Sequence, residues 1–386
     1  MADEFFHKID PDGDVLLILR NPNTPFAVWD EEEEIECLSP KRIDGKHAVP
    51  DYHNYPPPAD DIWDSLTSED ETPVPAPLDP PSEPKEEPEI KYLVSSRHLT
   101  LASNTFEAEL RGPWKEGAMK HTDGYHHIDA SEWNSEALLI LMRVIHGQSR
   151  SIPRQISLEM LAKIAVLVDY YDSLEVTEVY ASIWIDGLNE KLPTDYSRDM
   201  VLWLLVSYVF QQDDIFSQMT KIAVTQSTEP VMTLELPIPS IVTDLIDRQR
   251  QEAVEFILNT LQTLLDVFRK ESSVSYCSFE CSSMLLGALT KEMDRHKLLD
   301  PAPKEPYTGY SIVGVEKMVK EFRSPYWNHR RESCVSNHSN HLSCNLKTNI
   351  STRLNTRPNA TKEGFKLSEI QTLTKKQSLK TEITED

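Results

Sequence analysis

Apolar residues come in short runs along this chain, and their spacing alternates between the beat of strands and the beat of helices. Gly13-Asp14-Val15-Leu16-Leu17-Ile18-Leu19 is a continuous apolar run behind a glycine turn, which predicts a buried strand ended by Asn21-Pro22-Asn23. Ile90-Lys91-Tyr92-Leu93-Val94 predicts a second strand, and His126-His127-Ile128-Asp129 a weak third. Between them, Ser95 to Leu110 places Leu99, Leu101, Ala102 and Phe106 at spacings suited to one or two short helices.

Helical spacing then takes over. Asn134 is a fitting cap for a helix over Ser135 to His146, stopped by Gly147, whose continuous apolar interior predicts burial on several sides. Ser157 can cap Leu158 to Tyr171, with Leu158, Leu161, Ala165 and Val168 on one face. Val176, Val179, Tyr180, Ile183 and Trp184 form the stripe of the next helix, which Gly187 should end. Asp199 to Phe216 reads as one apolar helix around Trp203, Val206 and Phe210. After Pro237-Ile238-Pro239 comes the clearest amphipathic pattern: Val254, Ile257, Leu258, Leu261, Leu264, Leu265 and Phe268 line one face. Arg250, Glu252, Glu255 and Gln262 lie opposite. A further helix is expected from Cys281 to His296, and beyond Pro325-Tyr326-Trp327 disorder with some helix. No repeat recurs at a fixed period, which disfavours a propeller or solenoid.

Charge changes this picture in one place. Of the formal net charge of −24, the stretch from Asp30 to Glu89 carries −15, with 19 acidic and 4 basic residues, and 12 of the 26 prolines. So polar a segment cannot bury enough apolar surface to offset its chain entropy, so residues 30–89 are expected to be a disordered insert. The overall acidity argues against nucleic-acid binding, since phosphates would be repelled. The tail from Arg330 on, with ten basic and six acidic residues, reads as solvated chain. Five cysteines in odd number, a polar start from Met1 to Asp14 and no long apolar segment point to an intracellular protein with free thiols, in cytoplasm or nucleus, with no membrane span.

Several of these pieces together resemble the BTB/POZ domain. Asp14-Val15-Leu16-Leu17-Ile18 is similar to the family's opening Asp-Val strand. Tyr92 to Phe106, through His98, Leu99, Ala102, Ser103 and Phe106, resembles the family's strand running into a tight helical hairpin. Ile128-Asp129 with Trp133 to Ile145 looks like its third strand and following helix, and Val168-Asp169-Tyr170-Tyr171 like its Ala-Asp-x-Tyr helix end. The resemblance covers residues 13–187 with the insert removed, and the whole arrangement is similar to BTB-like proteins of filamentous fungi. It implies a small sheet flanked by helices; with the periodic pattern beyond it, the expectation is an α+β, mostly helical fold with a helical C-terminal region over 195–325 and a disordered tail over 328–386. The twelve residues ahead of the first strand are too few for the helix that dimeric zinc-finger members place there. No kelch or zinc-finger module follows.

Reactive chemistry is thinly represented. There is no Gly-rich phosphate loop, no Gly-x-Ser-x-Gly and no His-Glu-x-x-His, and the 11 glycines are few for nucleotide binding. Asp10-Pro11-Asp12-Gly13-Asp14 lacks the Gly and Glu that a calcium loop needs, with Val15 and Asn21 in those places, and reads as a turn. Cys334, His338, His341 and Cys344 make a chemically sensible zinc set. Their spacing fits no zinc-finger pattern, however, and no core surrounds them, so no metal is assigned. Cys277 and Cys281 read as small core residues, and His126-His127 as a loop entering a strand. Ile62, Trp63 and Leu66 among acids would share a face if that segment folded on a partner. Ser65, Thr67 and Ser68 beside Glu69-Asp70-Glu71 suit acidophilic kinases.

The expectation is a non-enzymatic protein–protein interaction module, mediating assembly by self-association or on a cullin scaffold. No cofactor, small-molecule substrate, membrane or nucleic acid is expected. The alternatives are a substrate adaptor of a cullin-type ubiquitin ligase, with an exposed face of Asn134–His146 as its contact, and a zinc-binding nuclear factor.

Overall fold

The computed structural model describes residues 5–29, 89–111, 121–270, 279–326, 345–356 and 363–374. Among them the fold is α+β and mostly helical, with one four-stranded sheet and twelve α-helices. The strands are β1 (Phe6–Lys8), β2 (Val15–Arg20), β3 (Ile90–Val94) and β4 (His126–Ser131), in sheet order β1-β3-β2-β4. β2 pairs antiparallel with β3, Val15 opposite Val94 and Leu19 opposite Ile90, and parallel with β4, Val15 beside His126. Val15 to Leu19 are all buried, because a central strand covered on both faces needs apolar residues at every position. Leu17, Tyr92 and Ile128 fall in one row, so their side chains share the face that joins the main core. Gly13 precedes β2 because a side chain there would meet the Val94 carbonyl oxygen at 2.6 Å. β1 adds a strand that the apolar pattern did not announce, parallel to β3.

The helices of the first half are α1 (Ser96–Ala102), α2 (Asn104–Arg111), α3 (Ser135–Ile145), α4 (Leu158–Tyr170) and α5 (Leu174–Leu188). The expected caps hold: Asn134 accepts the Ala137 N–H at 3.0 Å and Ser157 the Met160 N–H at 3.2 Å. Gly147 follows α3 with a positive φ of 65°. The second half continues with α6 (Arg198–Val209), α7 (Asp213–Gln226), α8 (Ser240–Arg269), α9 (Phe279–Arg295) and α10 (Ile312–Lys320), and α6 packs against α4. Arg198 fixes this join. Its guanidinium donates to the Ala27 and Phe26 carbonyls at 2.7 and 3.2 Å and pairs with Glu159 at 3.0 Å. Buried residues from Ile9 to Ile370 form one continuous cluster.

Three expectations are corrected here. The helix foreseen over Asp199–Phe216 is two helices. Gln211 takes a left-handed φ of 54°, the Gln212 N–H closes on the Ser207 carbonyl at 2.9 Å, and α7 restarts with Asp213-Asp214 at its N-terminus. No glycine or proline marks this break, so the apolar pattern runs straight through it.

The tail expected to be disordered over 328–386 contains α11 (Leu346–Leu354) and α12 (residues 367–374), whose Leu346, Ile350, Leu367 and Ile370 are buried. Before α12 the chain lies so close to α7 that a side chain on Gly364 would strike the Ser217 carbonyl. The Thr220 hydroxyl and the Asp213 carboxylate accept the Phe365 and Leu367 N–H groups at 2.9 and 2.8 Å. These contacts lie about 150 residues from their partners in sequence, beyond the reach of any local pattern.

Arg250 is the third correction. The apolar stripe of α8 is buried as expected, but Arg250, assigned to the opposite polar face, is 0% exposed. Its guanidinium donates to Asp247 at 2.6 and 3.1 Å and to the carbonyls of Pro306, Tyr307 and Tyr310 at 3.0, 3.1 and 3.2 Å. A planar group with five donors can hold a carboxylate and a loop backbone together, which is why the charge tolerates burial. Replacing Arg250 with Met keeps the volume and strands these acceptors. Urea denaturation should show a loss of about 3 kcal/mol or more, and a loss under about 1 kcal/mol would refute the clamp.

Candidate interaction surface

Two stretches singled out in the sequence, the strand-hairpin segment to Phe106 and the helix end at Tyr171, meet in space. Ser103, between α1 and α2, donates its hydroxyl to the Tyr171 carbonyl and accepts the Phe106 N–H at 3.0 Å. Thr105 donates to the Tyr170 carbonyl at 3.2 Å, Asn104 to the Asp172 carboxylate, and the Phe106 ring stacks on Tyr171 at 4.4 Å. The helical hairpin is thus pinned to the turn between α4 and α5. Asp172 makes that turn with a left-handed φ of 46°, and the Ser173 N–H returns to the Val168 carbonyl at 3.0 Å.

The other end of the hairpin is held as firmly. Asp14 accepts the Ser96 N–H at 2.8 Å and its hydroxyl at 2.7 Å. His146, at the end of α3, accepts the Ser95 N–H through Nε2 at 2.9 Å, while its Nδ1 lies 2.7 Å from the Met142 carbonyl. That pair of contacts fits only the neutral ring protonated on Nδ1. Burial lowers the His146 pKa below the ordinary histidine value, with His98 adding to this and the Met142 carbonyl and Asp10 opposing it.

With both ends fixed, the hairpin and α5 present an outward surface. The stripe expected to face the core is displaced around α5. Thr177, Ala181, Trp184 and Ile185 are buried, whereas Val179 is 68% and Ile183 48% exposed. Thr177 and Ala181 are small, a fit for the face by which α5 packs against α3 and α4, and the Trp184 indole N–H donates to the Pro153 carbonyl at 2.8 Å. Gly187 does not end α5, which runs through to Leu188.

The outward face therefore carries Glu175, Glu178, Val179, Ser182, Ile183 and Asp186, and no lysine or arginine stands on α5. At its N-terminal end opens a cleft of about 410 Å³, lined by Leu101, Leu174 and Phe210, by the polar Ser103, Asn104 and Gln211, and by Asp172, Glu175 and Glu178. Leu101 is 89% exposed. Acids converging on apolar groups suit recognition of a basic, apolar ligand surface. The sequence signals only the acids: Glu175, Glu178 and Asp186 mark a solvent-facing arc, while the apolar spacing of Val179 and Ile183 reads as core until packing fixes the rotation of α5.

The other candidates fall elsewhere. The helix over Asn134–His146 is mostly buried and keeps one narrow, partly exposed side at Ser135, Glu136, Leu139 and Arg143, where Arg143 donates to the Ser151 carbonyl at 3.2 Å. Cys281 is a buried residue of the core, and Cys277 lies outside the described residues. So do Cys334, His338, His341 and Cys344, and the segment from Asp60 to Glu71. His126-His127 begins β4 instead of sitting in a loop. His127 pairs with Asp123 at 2.8 Å and stacks on His121 at 3.9 Å. Asp10 accepts the Asp12 N–H at 3.0 Å and the Gly13 N–H reaches its carbonyl at 3.1 Å, a turn into β2. Among the described residues no three or more metal-binding side chains gather, and no helix is long and apolar enough to cross a membrane.

Comparison of the chain with protein-family models, with curated proteins and with solved structures finds no match in any of the three.

Two measurements check this geometry. Ser103→Ala orphans a buried N–H and loosens the turn, so chemical denaturation should show a loss of about 1–3 kcal/mol. Because the folded-state pKa of His146 is depressed, its contribution is full above about pH 6.5 and is lost as pH falls through the folded value. His146→Gln should therefore flatten the acid-side slope of stability against pH; an unchanged slope would contradict the neutral assignment.

Proposed function

We propose that this chain is a non-enzymatic protein–protein interaction module built on a BTB/POZ-like core and acting in the cell interior. The observation that carries the reading is the acidic and apolar surface of α5 and its cleft, exposed among the described residues and held in place by buried hydrogen bonds. Large exposed apolar side chains at helical spacing, framed by one sign of charge, are the features of a recognition surface. The order of elements also supports the resemblance: two antiparallel strands, a helical hairpin, a third strand on β2, then α3 and the α4–α5 pair.

A second reading, a substrate adaptor of a cullin-type ubiquitin ligase, is favoured by the packing of α6 directly on α4. The helical second half then extends the core as one body, as an adaptor seating a scaffold requires.

Proximity labelling of the full chain in its own cell, set beside Leu17→Asp as an unfolded control, tests the interaction role. Leu17 is fully buried in β2, so the charge should abolish the fold. The folded chain should enrich a discrete set of proteins that the control loses, with a cullin among them if the adaptor reading holds. Identical sets from both would overturn the proposal. Light scattering of the purified chain, at 44.2 kDa or a multiple of it, reports self-association.

A further inference from the structure

Resting on that reading, we propose that the outward face of α5 and the adjoining cleft bind a basic amphipathic helix of a partner protein. From Glu175 to Asp186 the face runs about 16 Å, the length of a three-turn helix. Val179 and Ile183 stand one turn apart and match apolar residues at i and i+4 of a helix laid along them. The cleft of about 410 Å³, where Ser103, Asn104, Gln211 and the acids stand beside Leu101, Leu174 and Phe210, accepts a lysine or arginine side chain, its stem on the apolar groups and its charge toward the carboxylates. Asp172, Glu175 and Glu178 at its mouth and Asp186 at the far end set carboxylates where the partner's lysines or arginines fall.

Charge decides between occupants. A second copy docking through this face about a two-fold axis would set these carboxylates against their own kind. A basic helix turns the same groups into attraction. Exposed ion pairs steer and orient more than they bind, so affinity lies with the apolar anchors and specificity with the acids.

The probe is a fluorescent helical peptide of about three turns, with leucines at i, i+4 and i+7 and lysines on the flanks. Its anisotropy is read on the full-length chain. A scrambled peptide of equal charge corrects for attraction to the acidic chain as a whole, and a peptide with glutamate in place of lysine tests the sign. The basic amphipathic peptide should bind at least about tenfold more tightly than either, and weaken as salt is raised. Val179→Ser with Ile183→Ser should cost about tenfold, and Glu175→Gln with Glu178→Gln should reduce the salt dependence. These positions are exposed, so the variants should melt as the parent does, which is measured alongside. Equal binding of the scrambled peptide, or full binding by the Val179→Ser/Ile183→Ser variant, overturns the site. If the proximity-labelled set persists in that variant, the docking face fails while the interaction role stands.

Discussion

The structure depends on the pairing of β2 with strands from two distant parts of the chain. Bringing β3 to β2 closes a loop of roughly 70 residues, at an entropic cost on the order of 4 kcal/mol. Burial of Val15, Leu17, Leu19, Tyr92 and Val94 offsets it, since each fully buried apolar side chain contributes about 1.5–3 kcal/mol. Because closure entropy grows only with the logarithm of length, a long insertion at this point is tolerable. The register is equally constrained: a slip of one residue would turn Tyr92 and Val94 out of the core.

From that register the surface follows by steps. β3 runs straight into α1, and Asp14 at the head of β2 holds Ser96 at the head of α1. The hairpin is then positioned to reach the α4–α5 turn, where Ser103 serves as donor and acceptor at once. Such buried polar contacts are strong in a low dielectric and costly when broken, so they select one arrangement over a loosely packed alternative. α5 leaves this turn with Thr177, Ala181, Trp184 and Ile185 inward. Val179, Ile183 and the acids Glu175, Glu178 and Asp186 are left to the solvent, an exposed surface made of what the core does not use.

Charges divide in the same way. Arg250 is enclosed and answered by Asp247 and three carbonyls. Glu292 sits between Arg323 and Arg295 at 2.6 and 2.7 Å; burial pushes its carboxyl pKa up, and the arginines overcome this and hold it below the ordinary value. These buried charges fasten the second half of the chain. Exposed charges contribute little to stability, so the acids of α5 take no part in holding the fold.

The sequence by itself determined the elements whose causes are local. The apolar runs located β2 and β3, the side chains of Asn134 and Ser157 marked helix starts, and the heptad-like stripe of α8 identified its buried face. Periodicity measures only whether apolar residues share an arc. It does not say which of two overlapping arcs fits against α3 and α4, so the rotation of α5 and the exposure of Val179 and Ile183 had to come from packing. Nor does it see the burial of Arg250, whose carbonyl acceptors lie more than fifty residues away, or α12, whose N-terminus is held by an acid on α7. Tertiary structure decided those, because burial and hydrogen bonding are settled between segments that meet only once the chain has folded.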